Sequence, residues 1–300
     1  MEDIIKINNL CKSFKGTKAV DNISFKVKKG EFFAFLGVNG AGKSTTINMM
    51  SGALKIDSGS IEICGYDVKN DLDEIKKNVG IVFQDSVLDK TLSVYDNLKY
   101  RAGYYGIYGK DFEERFEELD KLFKLHDIKN KQLFKLSGGQ RRRVDIARSI
   151  IHSPKVLILD EPTTGLDPGT RKKIWASINK LRLEQGMTVF LTTHYMEETA
   201  NADYVVIIGK GKIVAQGTII DLKNKYASDM IYLYNIKEEE VKKLNMAYEK
   251  INDVYKIKIN SSKEATKLIN EHKEIFNDYE IIKGKMDDVF LAATHKEAKY

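Results

Sequence analysis

The chain has 300 residues, 42% hydrophobic and 31% charged with only 3 prolines, a composition that excludes a disordered chain and suits one or two globular domains. A membrane helix needs about 20 consecutive apolar residues, and uncharged stretches such as 32–42 and 186–196 are far shorter and carry Gly, Asn, Thr or His. The formal charge of +6 is a small difference between 49 basic and 43 acidic groups, and residues 218–300 hold 15 of each, so a basic tail for binding polyanions is absent.

In chain order, the opening MEDIIK lacks the long apolar core of a secretory signal, so none is expected. Short β-branched or aromatic runs predict strands at 4–10, 23–27, 32–36, 60–63, 80–83, 155–159, 188–192 and 204–208. Helices are predicted at 43–51, 94–105, 112–125, 139–151, 170–184 and 196–201. Strands alternating with helices imply a parallel sheet covered on both faces. Glu113, Glu114, Glu117, Glu118 and Asp120 interrupt the apolar spacing of one helix and read as its solvated face. A hairpin-like run at 211–218 closes this region, after which only Gly284 remains of the glycines. The remainder alternates apolar runs at 230–234, 255–259 and 279–282 with charged helical stretches at 237–244, 262–271 and 287–293, as in a small separate α+β domain. Cys11 and Cys64 form no C-x-x-C pair, which fits a reducing compartment and argues against a disulfide scaffold or zinc ribbon.

The strongest chemical signal is the run from Gly37 to Ser44, GVNGAGKS, which satisfies G-x-x-x-x-G-K-[ST] between an apolar strand and a helix. Its glycines let successive backbone N–H groups point at a phosphate, and the following helix adds its positive end. Lys43 is expected at the β- and γ-phosphates, with the Ser44 hydroxyl on Mg²⁺. A second site decides the fate of the phosphate. The strand KVLILDEP ends in two adjacent acids: Asp160 can hold Mg²⁺ through its water shell, while Glu161 can orient or deprotonate the attacking water. Ser137, Gly138, Gly139 and Gln140 open another helix and make a second anion-facing surface. One phosphate cradle with two phosphate-facing surfaces invites completion by a second copy. Arg141, Arg142 and Arg143, just inside that helix, read as a surface or intersubunit ion-pairing cluster, without the interleaved aromatics that single-stranded nucleic acid requires.

The order of these motifs resembles the nucleotide-binding subunit of ATP-binding-cassette (ABC) transporters, over residues 1 to about 217. The resemblance implies an α/β P-loop NTPase cassette at 1–217, with a RecA-like core, an antiparallel β subdomain and a helical subdomain at about 86–150, followed by an accessory α+β domain at 218–300. It assigns Phe14, where the family often has Tyr, to stacking on adenine. Gly37, Asn39, Gly40, Ala41, Gly42, Lys43, Ser44 and Thr45 form the phosphate loop, and Gln84 senses Mg²⁺ and the membrane partner. LSGGQ, with Ser137 to Gln140, is the family's diagnostic sequence. Asp160 is the Mg²⁺-associated aspartate, Glu161 the catalytic glutamate, Asp167 part of the dimer-communication loop and His194 the γ-phosphate switch. The implied catalytic set is therefore Glu161, His194, Lys43 and Gln84, with Ser44, Gln84 and Asp160 toward the metal.

The expected cofactors are ATP and Mg²⁺. The expected partners are an integral-membrane permease and a second copy of the chain, paired head to tail around ATP at the cytoplasmic face of the membrane; nucleic acid is not expected. Residues 86–105, with Tyr95, Tyr100, Tyr104, Tyr105 and the nearby Tyr108 read as exposed, are where the family receives its partner's cytoplasmic helix. The C-terminal stretch 286–293 resembles the short domain of bacterial drug- and antibiotic-exporting subunits, implying export of a drug, antibiotic peptide or lipid-like compound. The alternative is a soluble ABC ATPase acting on ribosomes or DNA; such proteins usually carry two cassettes or a long coiled-coil insertion, and this sequence has neither.

Overall fold

The computed structural model describes residues 2–295. Compactness divides the chain into two units, one ending at Ile213 and the other beginning at Val214.

The first unit opens with two long strands, β1 (Asp3–Phe14) and β2 (Thr17–Lys28), then β3 (Phe32–Leu36) and α1 (Lys43–Met50). It continues with β4 (Ser58–Ile63), β5 (Tyr66–Asp67), α2 (Leu72–Asn78) and β6 (Val79–Val82). Three helices follow, α3 (Val94–Tyr104), α4 (Gly109–Phe123) and α5 (Gly138–Ser149), and then β7 (Val156–Asp160), α6 (Pro168–Gln185), β8 (Thr188–Thr193), β9 (Tyr204–Gly209) and β10 (Lys212–Gly217), inside which the unit boundary falls. Met196–Asn201, expected as a helix, is a 3-10 helix.

β1 and β2 pair antiparallel with β4 and β5 in the order β2-β1-β4-β5, and the other sheet runs β10-β9-β3-β8-β7-β6, parallel where β3, β6, β7, β8 and β9 pair. The two sheets share one core. Phe25 of β2 lies 5.2 Å from Phe33 and 5.3 Å from Phe35, and Phe33 lies 5.1 Å from Phe190 of β8. Ile47, Met49 and Met50 place α1 in that same core. Phe32 points to the opposite face, because side chains alternate along a strand, and stacks on Trp175 of α6 at 5.5 Å. In α4 the buried Phe112, Phe116, Leu119 and Phe123 recur at helical spacing, while Glu113, Glu114, Glu117 and Glu118 are exposed as the sequence implied; Asp120, expected with them, is half-buried and accepts from His126 N at 2.6 Å.

The second unit contains α7 (Ile219–Tyr226), β11 (Asp229–Leu233), α8 (Glu238–Lys242), β12 (Tyr248–Ile251), β13 (Val254–Ile259), α9 (Ser262–Glu271), β14 (Tyr279–Ile282) and α10 (Met286–His295). Its antiparallel sheet has the order β12-β13-β11-β14. Ile231, Leu233, Tyr255, Ile257 and Ile259 pack with Val241 of α8 and Ala265 of α9 in a core of its own.

Candidate nucleotide site

Register brings the ends of four parallel strands together. Leu36 pairs with Thr193, Asp160 with Thr192 and Val82 with Leu159, so the loops after β3, β8, β7 and β6 leave one carboxyl edge, where open α/β sheets bind ligands.

The loop after β3 is fitted too tightly for side chains at two places. A Cβ on Gly37 would lie 2.6 Å from the Ile208 carbonyl oxygen, and one on Gly42 would lie 2.4 Å from that of Ala19, where φ is also 111°. The buried Ala41 donates its N–H to Val38 O at 3.1 Å and accepts from Gly211 N at 3.0 Å. Gly42 brings no side-chain cap to α1, which leaves the positive end of this helix for an anion. Lys43 is buried, its Nζ 2.8 Å from Gly37 O and 3.2 Å from Val38 O. Asn39, Gly40, Ser44 and Thr45, together with Gly42 and Lys43, wall a cavity of about 250 Å³ closed by Gln84 and Glu161.

Glu161 is the hub of this cavity. Its Oε1 is 3.2 Å from Lys43 Nζ and its Oε2 is 3.0 Å from His194 Nδ1, and Thr164 donates its hydroxyl to Oε2 at 3.3 Å. Burial pushes its pKa up, but the contacts of His194 and Lys43 and the Lys43 charge outweigh burial and hold it below the usual carboxylate value. The backbone of Glu161 sits at φ 45°, a left-handed conformation uncommon for a residue other than glycine. Asp160 is buried at the end of β7 and accepts a hydrogen bond from the Thr192 hydroxyl. Sequence reasoning missed Glu198. Its buried carboxylate accepts from the hydroxyls of Thr163 and Thr193 and from Trp175 Nε1, so it braces the chain beside both Glu161 and His194.

A second surface is built around the start of α5. Ser137 Oγ accepts from Gln140 N at 3.3 Å while Gln140 Oε1 accepts from Ser137 N at 3.0 Å, a reciprocal capping box. Gly139 has no room for a side chain, since its Cβ would lie 2.7 Å from the Thr170 methyl. Asp167 caps α6 by accepting from Thr170 N at 2.9 Å. Ser137, Gly138, Gly139, Gln140 and Asp167 share a cavity of about 750 Å³, separate from the one lined by Lys43. Phe14, at the end of β1, is 47% exposed with Lys12 Nζ 5.5 Å from its ring centre.

Two expectations change. Arg142 is buried and the half-buried Arg143 donates to Phe123 O at 2.7 Å, so the three do not form one exposed cluster: Arg142 satisfies backbone carbonyls inside the fold and Arg143 one nearer its surface. Of the five tyrosines read as exposed, Tyr100, Tyr104 and Tyr108 are. Tyr95 instead packs edge-on against Phe112 and Phe116, and Tyr105 stacks on His152 with ring centres 3.9 Å apart.

Residues 20–164 match the family model described as ABC transporter. The chain is 39% identical over 228 residues to the probable multidrug ABC transporter ATP-binding protein YbhF of Escherichia coli K12, covering 76% of this chain and 39% of that protein. It is 38% identical over 230 residues to the daunorubicin/doxorubicin resistance ATP-binding protein DrrA of Streptomyces peucetius, covering 76% of this chain and 69% of the relative. It thus spans about two fifths of the length of the first relative and about two thirds of the second. Among solved structures, the ATP-binding subunit of an ABC transporter superposes with a TM-score of 0.69 at 27% identity, covering 74% of this chain and 93% of that one. The ATP-binding cassette MJ0796, solved as a dimer in a post-hydrolysis state with ADP and Pi, gives 0.67 at 28% identity over 72% of this chain and 98% of its own. The phosphate loop, the paired acids at the end of β7 and these likenesses lead to one conclusion: the chain belongs to the ABC transporter family.

Proposed function

We propose that this chain powers export of a drug, antibiotic peptide or lipid-like compound through a separate membrane permease, at the cytoplasmic face of the membrane. The observation that carries the reading is Glu161 at the end of β7, held between Lys43 of the phosphate loop and His194. Gly37 to Thr45 cradle the phosphates of ATP, and Phe14 offers a ring face to adenine. Because Lys43 is already ion-paired with Glu161, a γ-phosphate competes with that carboxylate for the ammonium. Once Lys43 turns to phosphate, Glu161 loses an acidifying neighbour and becomes a stronger base toward water, while His194 keeps its carboxylate in place.

Mg²⁺ fits the residues present. Among the described residues there is no group of three or more His, Cys, Asp or Glu able to hold a metal alone. The donors available are hard oxygens, from the Ser44 hydroxyl, the Gln84 amide and the Asp160 carboxylate. That incomplete set suits Mg²⁺, which is bound through one or two carboxylates plus substrate phosphates. When bound it supplies charge neutralisation at the β- and γ-phosphate oxygens.

Ser137 to Gln140 and Asp167 lie on a surface apart from the Lys43 cavity, which supports a head-to-tail pair in which each copy closes the other's nucleotide. Residues 218–300 form an accessory α+β domain in this reading. Among the described residues no helix is long and apolar enough to cross a membrane, so transport calls for a permease chain, and the exposed Tyr100, Tyr104 and Tyr108 offer it a docking face. Of the two named relatives, one is a probable multidrug ABC transporter ATP-binding protein and the other a daunorubicin/doxorubicin resistance ATP-binding protein, which favours this over a role on ribosomes or DNA. Glu161→Gln tests the core of the reading: it leaves ATP binding intact, lowers turnover by roughly 100-fold and yields a stable ATP-bound dimer by gel filtration. Unchanged ATPase activity in that variant refutes the assignment.

A further inference from the structure

Arg142 is 8% exposed and lies in the second turn of α5, the helix that begins at Gly138. Its guanidinium donates from Nε to Pro162 O at 2.5 Å, from Nη1 to Phe83 O at 2.6 Å, and from Nη2 to Asp160 O at 3.1 Å and Glu161 O at 3.0 Å. One side chain thus gathers four carbonyls from the end of β7 and from the loops after β6 and β7. Three of them belong to consecutive residues, and consecutive carbonyls do not share a side of an extended strand. They converge because the chain reverses at Glu161, where φ is 45°. A left-handed conformation is uncommon for a residue with a side chain, although the exposed Lys15 and Lys210 also adopt it, and a planar fork of charged donors is well suited to hold it in one place. Phe83, the remaining partner, immediately precedes Gln84. Burial lowers the Arg142 pKa, against the pull of Asp145, Asp160, Glu198 and Asp85; a guanidinium nevertheless stays charged.

We propose that Arg142 is a positioning residue for ATP hydrolysis: it locks the left-handed turn at Glu161 and so aims that carboxylate, while tying its aim to the placement of the α5 helix and the chain entering Gln84. This rests on the reading of Glu161 as the base that activates water. The coupling is mechanical. Because Arg142 and the Ser137 to Gln140 surface ride on one helix, a displacement of α5 relative to β6 and β7 pulls on the turn that holds the base, all within a single chain. A purely structural arginine, by contrast, would support the fold without any preference for the chemical step.

The test uses the full chain in steady-state ATPase assays with Mg²⁺ and ATP, alongside thermal melts and direct measurement of ATP affinity. Arg142→Met removes every donor at similar length; Arg142→Lys keeps the charge but loses the fork. Arg142→Met is expected to lower kcat by about 30-fold, the order that a small misplacement of a reacting group costs, with ATP affinity within about threefold of wild type. Arg142→Lys is expected to recover part of the loss. In a Glu161→Gln background the Met substitution is expected to change the residual rate by less than about threefold, since residues acting as a unit are not additive. Proportional loss of ATP affinity and kcat, or an undiminished 30-fold effect in the Glu161→Gln background, overturns the proposal. If Arg142→Met does not fold, Arg142→Lys with normal ATP affinity and normal kcat overturns it equally. Wild-type turnover in Glu161→Gln alone is a different failure, one that strikes the base assignment itself.

Discussion

His152, just beyond the end of α5, gives the cassette a built-in acid weakness. Its ring stacks on Tyr105 at 3.9 Å and 4°, and the Arg101 guanidinium lies over the Tyr105 ring, 4.8 Å from its centre. Burial, the Arg101 charge and more weakly that of Arg115 push the His152 pKa down to about 4, against a lesser opposing contact with the Val79 backbone. Below the ordinary value near 6.5 the unfolded chain takes up a proton that the folded chain refuses, so stability falls as pH drops and the loss is complete near pH 4. Between pH 7.5 and pH 5 the linkage amounts to about 2 kcal/mol. Trp175, the only tryptophan of the chain, lies in the same unit, and urea unfolding followed by its fluorescence reads that unit. His152→Phe keeps the stack and removes the proton. The expected result is a pH 7.5-to-5 stability difference about 2 kcal/mol smaller in the variant than in wild type. Carboxylates with depressed pKa values, such as Glu161, lose their contribution only below their unfolded values near 4.5 and leave this window undisturbed. Equal acid destabilisation in both proteins would refute the linkage.

Two further substitutions probe neighbouring features. Glu198→Gln replaces one of the two oxygens that accept from Thr163, Thr193 and Trp175; because Thr193 Oγ1 already accepts from Tyr195 N at 2.9 Å, an amide donor there leaves the hydroxyl proton without an acceptor. A stability loss of about 2 kcal/mol and a roughly tenfold lower kcat, with little change in ATP affinity, is expected from urea unfolding and ATPase assays. Gly80→Ala puts a Cβ 2.2 Å from the Ser149 carbonyl oxygen, which forces β6 and the end of α5 apart at a cost of about 3 kcal/mol; a change under about 0.5 kcal/mol in the urea midpoint analysis contradicts that close approach.

How much of this was legible in the sequence depended on how local the cause was. The glycine-rich loop, the acids after 155–159 and the Ser-Gly-Gly-Gln helix start are short motifs whose backbone needs are written in the same few residues. β1 and β2 run longer than their apolar patterns suggested, because register shifts between Ile7 and Leu10 and between Leu10 and Lys12 break the alternation that marks a strand. The sequence reading omitted α2, α7 and β12 for a related reason: α2 buries only Ile75, α7 only Leu222, and β12 buries none of its residues, so no periodicity announces them. Arg142 did leave a trace. It shares its buried face with Asp145, Ile146 and Ser149, at the three-, four- and seven-residue offsets of one helix face, but Arg143 stands at the same offsets from the buried Ile146, Ala147 and Ile150, so phase alone does not separate the two. Glu198 left none, because its three partners come from positions 163, 175 and 193, and only the folded chain brings them together.

The reciprocal bonds between Ser137 and Gln140 are closed within one chain. In the proposed pair, the helix start offered to a second copy is therefore ordered by its own chain before any encounter. With that part of the entropic toll already met, the proposed pairing is expected to form at a speed set by collision and charge more than by rearrangement of this helix start.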